Sequence, residues 1–276
     1  MLITSPHNPR ISALQDLYTT RGRKKSGLFL MEGPHLLETL LNAGIMPREV
    51  YYQPELMQRT AKSRTVLERL TRAGGLSDNQ LVEVSERVIE ALSDAQTAQG
   101  VVSVLPLAAF RAARIQAKRP PLRRPALLIL DHLADPGNMG TILRTALAAD
   151  AHEVLLTENC VDCYNPKVLR SAAGAHVALP IEKDLAWDAI AGRVSMHCSN
   201  VPRVLLAEAN SSNLYYEQDL ATPFALVIGN EAQGPSAEAR ALATLTIAIP
   251  LANSVESLNA AMAAGIILYE AVRQRL

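Results

Sequence analysis

The chain has few of the features that mark exported or membrane proteins. Its 276 residues include 3 cysteines, an odd number too small for a disulfide framework, which favours a reducing compartment such as the cytoplasm. The longest apolar runs, 126–130 and 260–268, are much shorter than the roughly 20 residues that a membrane-spanning helix needs. The first ten residues include polar side chains and two prolines where a secretory signal would have an apolar stretch. We therefore expect a cytoplasmic protein without a membrane span.

Patterns that bind metals or nucleotide phosphates are also missing. Cys160 and Cys163 have the spacing of a zinc-ligand pair, but the sequence has no second such pair and no matching pair of histidines. The glycine-containing loop 229–236 matches neither the dinucleotide-binding fingerprint nor a phosphate loop with its lysine. The sequence therefore predicts no metal site and gives no support for a dinucleotide or a nucleoside triphosphate as ligand.

Net charge is zero for the whole chain, yet the two halves differ. Residues 1–125 carry 18 Lys and Arg against 11 Asp and Glu, whereas residues 126–276 carry 9 against 16. A basic half indicates a polyanionic partner, because basic side chains that neutralise phosphates release condensed counterions. The alternative is a solvated basic surface that has no partner. The first basic cluster, in a predicted loop, supplies the candidate RNA contacts Arg21, Arg23, Lys24 and Lys25.

The order of elements predicts an α/β fold with two domains. A basic, proline-containing linker over 106–125 separates residues 1–105 from residues 126–276. The first domain is predicted to be a small α/β layer, and the second a parallel sheet with helices on both faces. The predicted strands are 27–31, 49–52, 126–130, 153–156, 177–179, 204–207, 224–228 and 245–249. The predicted helices are 34–43, 57–72, 140–149, 166–172, 185–193 and 257–275.

Three loops that follow predicted strands of the second domain carry polar residues where ligands bind in parallel α/β sheets. Asn138 stands at the entrance to a helix, and Arg144 follows at a spacing that allows both to face one pocket. Glu231 directly follows the next of these strands, and Ser257 and Asn259 open the last helix. Each loop alone also fits a helix cap or a tight turn. The conjunction of the three favours a ligand site.

These loops resemble the three motifs of the SpoU-type branch of the SPOUT RNA ribose 2′-O-methyltransferases. The matching segments, in order, are DPGNMGTILRTA (135–146), LVIGNEAQGPS (226–236) and IPLANSVESLNAAMAAGIILYEA (249–271). Two positions depart from the family pattern: Ala232 and Asn253 stand where glycine is common. Alanine is small, and asparagine tolerates positive φ better than most residues, so the departures concern loop conformation more than activity.

The resemblance implies a deep trefoil knot in the C-terminal domain and S-adenosylmethionine as the cofactor. It gives Asn138 and Arg144 catalytic or target-positioning roles, and it places Glu231, Ser257 and Asn259 in the polar lining of the site. It also implies a homodimer in which each site borrows the arginine of the first motif from the neighbouring subunit. The residues implied to hold the cofactor are Leu205, Ala207, Gly229, Asn230, Gly234, Ile249, Leu251 and Leu258.

The first domain resembles the N-terminal substrate-binding domain of ribosomal-RNA members of the family. The segments that carry this resemblance are 5–27 (SPHNPRISALQDLYTTRGRKKSG) and 27–44 (GLFLMEGPHLLETLLNAG). Stand-alone transfer-RNA members lack this domain, so ribosomal RNA of the large subunit is the favoured substrate. A transfer-RNA methyltransferase and a non-catalytic RNA-binding assembly factor of the same fold are the alternatives.

The resemblance also limits the chemistry expected of the site. An arginine is almost always protonated, so we expect Arg144 to bind the phosphate beside the target ribose and to stabilise the developing alkoxide. The identity of the proton acceptor is left open. Because the 2′-hydroxyl distinguishes RNA from DNA, DNA is not expected to be a substrate or partner.

Overall fold

The computed structural model of the protein describes residues 2–72, 76, 77, 79–110, 126–198 and 203–276. The chain forms two compact units. The first contains the described residues up to 110 together with Tyr164–Val177, and the second contains those of 126–163 and 178–276. The prediction placed residues 164–177 in the second domain. Of the predicted linker, 106–110 is described and 111–125 lies outside the described residues.

The first unit contains a mixed sheet with helices on both faces. Its strands lie in the order β1-β4-β3-β5-β2, with β5 antiparallel to both of its neighbours. In chain order the elements are β1 Leu2–Ile3, α1 Pro9–Gln15, α2 Thr20–Ser26, β2 Leu28–Glu32, α3 Pro34–Asn42, β3 Glu49–Tyr52, α4 Pro54–Gln58, α5 Ala61–Arg72, β4 Leu81–Val84, α6 Glu86–Ala91 and β5 Val101–Pro106. The sequence did not predict β1, β4 or β5, and the helix predicted over 57–72 is two helices.

Alternation along β2 shows why both faces of this sheet are buried. Leu30 packs into the core formed with α1 and α6, whereas Phe29 and Met31 point to the opposite face. On that opposite face they pack with α3 and with Leu169 of the 164–177 segment. The segment therefore completes a core of the first unit.

The basic cluster of this unit forms a helix, not the predicted loop. The Thr19 side chain accepts a hydrogen bond from the Gly22 N–H at the start of α2, and the helix ends at Gly27, whose φ of +69° suits glycine. Arg23 is buried and donates hydrogen bonds to the carbonyl oxygens of Leu17 (2.8 Å) and Tyr18 (3.0 Å). The structure thus corrects the prediction for Arg23, because its guanidinium anchors the preceding turn and is not available to RNA.

The second unit contains a parallel sheet in the order β11-β9-β10-β6-β7-β8, which confirms the predicted α/β architecture. Strands β6, β7 and β10 are buried along their whole length, as expected for a sheet covered on both faces. From residue 126 onward, the described elements of the chain are β6 Ala126–Leu130, α7 Pro136–Ala148, β7 Glu153–Thr157, α8 Pro166–Ser171, α9 Ala175–Ala178, β8 Ile181–Leu185, α10 Trp187–His197, β9 Val204–Ala207, β10 Phe224–Ile228, α11 Ala237–Leu242, β11 Leu245–Ile247 and α12 Ala260–Arg275.

Several boundaries differ from the prediction in this half of the chain, for example the helix predicted over 140–149, which begins at Pro136. The strand predicted over 177–179 is wrong, because 177 and 178 belong to α9 and the strand β8 begins at Ile181. The last helix begins at Ala260, three residues later than predicted. Among the described residues, no helix combines the length and the apolar character needed to cross a membrane.

Candidate active site

The first polar loop leads from β6 into α7. Asp135 is the N-cap of this helix, and its side chain accepts a hydrogen bond from the Asn138 N–H at 2.7 Å, while Pro136 occupies the first helical turn. The alternative reading of Asn138 as the helix cap is therefore wrong. Since Asp135 performs the capping, the Asn138 side chain is available for other contacts.

The Asn138 side chain joins all three polar loops. Its Nδ2 donates to Oε1 of Glu231 at 2.7 Å, and its Oδ1 accepts from Nδ2 of Asn259 at 2.9 Å. Glu231 follows β10, and Asn259 precedes α12. The bond to Glu231 is the stronger kind, because a carboxylate is the acceptor. The structure thus brings three of the predicted site residues into one network.

Asn259 serves two purposes in this network. Its Oδ1 accepts hydrogen bonds from the backbone N–H groups of Ala261 (2.9 Å) and Met262 (3.3 Å), so it caps α12. Its Nδ2 remains to donate to Asn138. Ser257 was the predicted start of the helix, but it lies in the preceding loop, where it lines a cleft.

The loop after β10 is held in a tight turn. Oδ1 of Asn230 accepts from the N–H groups of Ala232 (2.9 Å) and Gln233 (3.0 Å), and the Asn230 carbonyl oxygen accepts from Gly234 N–H (2.9 Å). A Cβ atom on Gly229 would lie 2.7 Å from the backbone nitrogen of Pro235. This approach leaves no room for a side chain at position 229, so the loop presents bare main chain there.

A cleft of about 250 Å³ lies between this loop, the end of β9 and the start of α12. All of the predicted cofactor residues line it except Leu205, namely Ala207, Gly229, Asn230, Gly234, Ile249, Leu251 and Leu258. Leu205 is buried inside β9, so the structure corrects the prediction that it belongs to the site. Of the predicted catalytic residues, Glu231 and Ser257 also line the cleft.

Sequence reasoning missed several residues of this cleft. Glu208 follows β9 directly and forms an ion pair with Arg240 of α11, and both side chains line the cleft. The strand-end rule that identified Glu231 applies equally to Glu208. The other lining residues missed are Ala209, Ile228, Pro235, Ile247, Ala260, Ala263 and Ile267.

Arg144 stands apart from this network. It lies on α7 with its side chain exposed, and no described residue of the chain forms a hydrogen bond or ion pair with its guanidinium. It does not line the cleft. The structure of one chain therefore does not bring Arg144 together with Asn138, Glu231 and Asn259 in the way that the spacing argument predicted.

The two departures from the family motifs fit their local backbone. Asn253 has a φ of +57°, in the left-handed region that asparagine tolerates better than most residues. The neighbouring Ser254 has a similar φ of +58°. Ala232 donates its backbone N–H to the side chain of Asn230 within the turn. The loop conformations therefore form without glycine at positions 232 and 253.

The cysteines take no part in a metal centre among the described residues, where no group of three His, Cys, Asp or Glu side chains is placed to hold a metal ion. Cys160 donates its thiol to the carbonyl oxygen of Leu130 at 3.2 Å, and Cys163 is buried. Burial raises the pKa of the Cys160 thiol, so it is protonated at neutral pH.

Comparison with other proteins relates this geometry to known families. Residues 125–269 match the SpoU rRNA Methylase family, and residues 8–103 match the MRM3-like substrate binding domain. Over 273 residues the chain is 35% identical to an uncharacterized tRNA/rRNA methyltransferase of Synechocystis, with 99% of this chain and 94% of that protein covered. It is also 28% identical over 267 residues to the 23S rRNA (guanosine(2553)-2′-O)-methyltransferase RlmP of Bacillus subtilis, with 97% of each covered.

Solved structures give the same assignment. The SpoU methyltransferase AviRb from Streptomyces viridochromogenes, in complex with the cofactor AdoMet, matches with a TM-score of 0.82 at 28% identity, and the match covers 98% of each chain. At this coverage the match includes residues of both units. The chain belongs to the SpoU rRNA methylase family.

Proposed function

We propose that this protein transfers the methyl group of S-adenosylmethionine to a ribose 2′-hydroxyl of ribosomal RNA. The observation that carries the proposal is the hydrogen-bonded network of Glu231, Asn138 and Asn259, which unites three polar loops beside one cleft. The Bacillus subtilis relative, which the chain matches over 97% of its length, is a 23S rRNA 2′-O-methyltransferase.

The cleft suits S-adenosylmethionine in its chemistry. Ile247, Ile249 and Ile267 give it apolar walls, while Ser257 and the bare main chain at Gly229 offer polar groups. AviRb and an rRNA methyltransferase from Sinorhizobium meliloti, a structural relative with a TM-score of 0.81 at 28% identity, were both crystallised with AdoMet. When bound, the cofactor supplies an electrophilic methyl group on its sulfonium sulfur.

Asn138 is suited to orient the target ribose. Its amide has two N–H donors and two acceptor lone pairs, of which Glu231 and Asn259 occupy one each. One donor and one lone pair therefore remain for a hydroxyl group. Because both partners fix the plane of the amide, the orientation exists before the RNA binds, and such preorganisation contributes much of the benefit in a transfer reaction.

Arg144 is assigned to the phosphate beside the reacting ribose. Its guanidinium is exposed and is always protonated near neutral pH, so it stabilises the negative charge of the phosphate and of the developing alkoxide. In one chain it lies outside the cleft lining. This position agrees with a site completed by the arginine of a second subunit.

A homodimer through the methyltransferase unit is part of the proposal. Met262 and Tyr269 are 59% and 50% exposed, and they lie seven residues apart on α12, which places them on one face of the helix. Large apolar side chains exposed along one helix face are typical of a subunit interface. Mixing Arg144→Ala and Asn259→Ala proteins should then restore activity after subunit exchange, since one hybrid site retains both residues.

RNA is proposed to contact the first unit through the α2 basic face, defined as Arg21, Lys24 and Lys25. These three side chains are exposed and occupy positions i, i+3 and i+4 of the helix, so they share one side of it. The match of residues 8–103 to the MRM3-like substrate binding domain supports this assignment and favours ribosomal over transfer RNA. A ribosomal RNA substrate also agrees with the cytoplasmic location expected from the sequence.

The trefoil knot implied by the sequence motifs is proposed as well. Strand β11 pairs with β9 and not with the preceding strand β10, so the chain crosses over β9 between β10 and β11. Such a crossover is compatible with a chain that returns through its own loop.

Methyl transfer from radiolabelled S-adenosylmethionine to separate samples of ribosomal RNA, transfer RNA and DNA tests the substrate. We expect label in ribosomal RNA alone, and strong loss of it with Asn138→Ala. Gly192→Ala is a matched control, because Gly192 lies on an exposed part of α10 with no heavy atom near its added Cβ. Label in transfer RNA alone, or none in any nucleic acid, would contradict the proposal.

A further inference from the structure

A buried carboxylate lies behind the loop that carries Glu231. Asp131 follows β6 directly, and its side chain is completely buried. Its Oδ2 accepts a hydrogen bond from the backbone N–H of Ser236 at 2.7 Å. Within the described part of the chain, Oδ1 has no hydrogen-bond partner, and the His132 Nε2 lies 3.9 Å from it. A buried acid with an unsatisfied oxygen opposes folding, so a functional role is the more economical explanation of its presence.

The residue after Asp131 holds the other end of the same loop. The His132 carbonyl oxygen accepts from Nδ2 of Asn230 at 2.7 Å, and the His132 N–H donates to Oγ1 of Thr157 at 2.9 Å. His132 has a φ of +53°, which turns its carbonyl out of the direction of the strand. Residues 131 and 132 therefore hold the loop at two points, Asn230 and Ser236.

These two points flank the residues that form the site. Glu231 lies between them and accepts the hydrogen bond from Asn138, and Gly229, Gly234 and Pro235 line the cleft. The tolerance of this loop to displacement is small, because the backbones at 229 and 235 already leave no space for a Cβ. A shift at Ser236 would therefore change the cleft wall and the position of Glu231 together.

We propose that Asp131 is a positioning residue for methyl transfer, which fixes the 229–236 loop through the Ser236 N–H. This inference rests on the proposed function, since it assigns the loop to cofactor binding. Asp131 does not line the cleft, and it acts through the main chain of the loop. Two hydrogen bonds thus join the first polar loop to the second. Asn138 bonds to Glu231 at the site, and the buried Asp131 carboxylate bonds to the Ser236 N–H behind it.

The test compares Asp131→Ala and Asp131→Asn with the wild-type protein in steady-state methylation. We expect Asp131→Ala to raise the KM for S-adenosylmethionine at least tenfold and to lower kcat as well. Asp131→Asn retains an oxygen acceptor and should return the KM to within threefold of the wild-type value. A merely structural role would reduce the active fraction, which lowers the apparent kcat and leaves the KM unchanged.

Glu153→Ala is the matched control. Glu153 is also a buried carboxylate of this sheet, but it stands at the first residue of β7, at the end of the strand away from the site. Its Oε2 accepts from Arg193 at 3.4 Å. We expect this variant to lose stability without a change in KM, so that stability and positioning are measured separately.

A second pair of variants removes the donor and leaves Asp131 in place. Ser236 has a φ of −65°, which suits proline. Because proline has no backbone N–H, Ser236→Pro removes the donor of the hydrogen bond to Asp131. Ser236→Ala keeps that N–H and loses only the side-chain oxygen that accepts from Ala239. Ser236→Pro should raise the KM as much as Asp131→Ala does, and Ser236→Ala should raise it less. The double variant Asp131→Ala with Ser236→Pro should raise the KM no more than either substitution alone, because both remove the same hydrogen bond.

Hydrogen exchange of the 229–236 peptide gives a reading that needs no substrate. We expect this peptide to exchange faster in Asp131→Ala than in Glu153→Ala when each variant is measured the same number of degrees below its own Tm. A folded Asp131→Ala protein with a KM within twofold of wild type, or with unchanged exchange in this peptide, would overturn the inference. If the wild-type protein fails to methylate RNA, the proposed function falls, while the exchange experiment still decides whether Asp131 holds the loop.

Discussion

Gly229→Ala is the substitution whose effect follows most directly from the geometry of the cleft. The added Cβ would lie 2.7 Å from the Pro235 nitrogen, 2.9 Å from the Pro235 Cα and 3.0 Å from the Gly234 carbonyl carbon. All three atoms are backbone, so no side-chain rotation can relieve the overlap. Restoring ordinary contact at about 3.4 Å requires the two strands of the turn to separate by roughly 0.7 Å.

The cost of that separation sets the expected loss of affinity. Overpacking at a well-packed position costs about 1 to 3 kcal/mol. If cofactor binding requires the wild-type conformation of the loop, the variant must pay this overpacking cost when it binds. The free energy of cofactor binding is then less favourable by that amount. Since about 1.4 kcal/mol corresponds to a tenfold change in Kd, we expect binding to weaken about 5- to 150-fold.

Isothermal titration calorimetry with S-adenosylhomocysteine measures this loss, and circular dichroism checks that the variant is folded. Gly192→Ala is the matched control: it adds the same methyl group in open space within α10, where alanine stabilises a helix by about 0.5 to 1 kcal/mol relative to glycine. A Gly229→Ala protein that binds with a Kd within twofold of wild type would show that the cofactor does not depend on this loop.

Three further predictions follow from other residues. Arg144→Ala should reduce the single-turnover rate of RNA methylation about 10²- to 10³-fold without unfolding the protein. Arg144→Lys should restore little of that rate, because a point charge cannot replace a planar guanidinium. An unchanged rate in Arg144→Ala would remove Arg144 from the mechanism. Replacing the α2 basic face with alanine should weaken RNA binding and flatten its salt dependence while cofactor affinity stays constant, as measured by filter binding at several salt concentrations; an unchanged slope would mean a solvated surface. Hydrogen bonds from Arg273 and then Gln274 lower the pKa of Glu270 from its ordinary value of 4.5 to about 2. Its contribution to stability is therefore present above pH 4.5 and lost as the pH falls towards 2, so the difference in urea midpoint between the wild-type protein and Glu270→Gln should shrink over that range, and a difference that persists at pH 2 would refute the assignment.

The parallel sheet was predictable because its central strands are continuous apolar runs. Residues 126–130 and 224–228 match β6 and β10, and both are buried along their whole length. The run at 177–179 is apolar as well, but a segment this short does not distinguish a strand from a buried helical turn, and it lies at the end of α9. Length, and not composition, limited the prediction there.

Helix starts were less predictable because several good capping residues stand close together. Asp135 and Asn138 are three residues apart, and Ser257 and Asn259 two residues apart, so local preference does not choose between them. The structure selects Asp135 and Asn259 as caps. The network around Asn138 depends on this outcome, and it spans 121 residues of sequence, so it was visible only through the family motifs.

Charge counting identified the basic half of the chain, but it did not predict which basic side chains are exposed and which are buried. Arg21, Lys24 and Lys25 are exposed, whereas Arg23 in the same cluster is buried against backbone carbonyl groups. The strand-end rule applies to Asp131 as well, but the sequence does not show that its side chain is buried and bonded to a distant backbone N–H. Its partner, the Ser236 N–H, is 105 positions away in the sequence.

The central claim is that the methyl group is transferred to a ribose hydroxyl of ribosomal RNA. Ribosomal RNA labelled from methyl-tritiated S-adenosylmethionine by the wild-type protein can be digested with alkali, which cleaves the chain wherever the 2′-hydroxyl is free. We expect the label in an alkali-resistant dinucleotide that yields a 2′-O-methylnucleoside on further enzymatic digestion. Label recovered in alkali-sensitive mononucleotides, and hence on a base, would contradict the account.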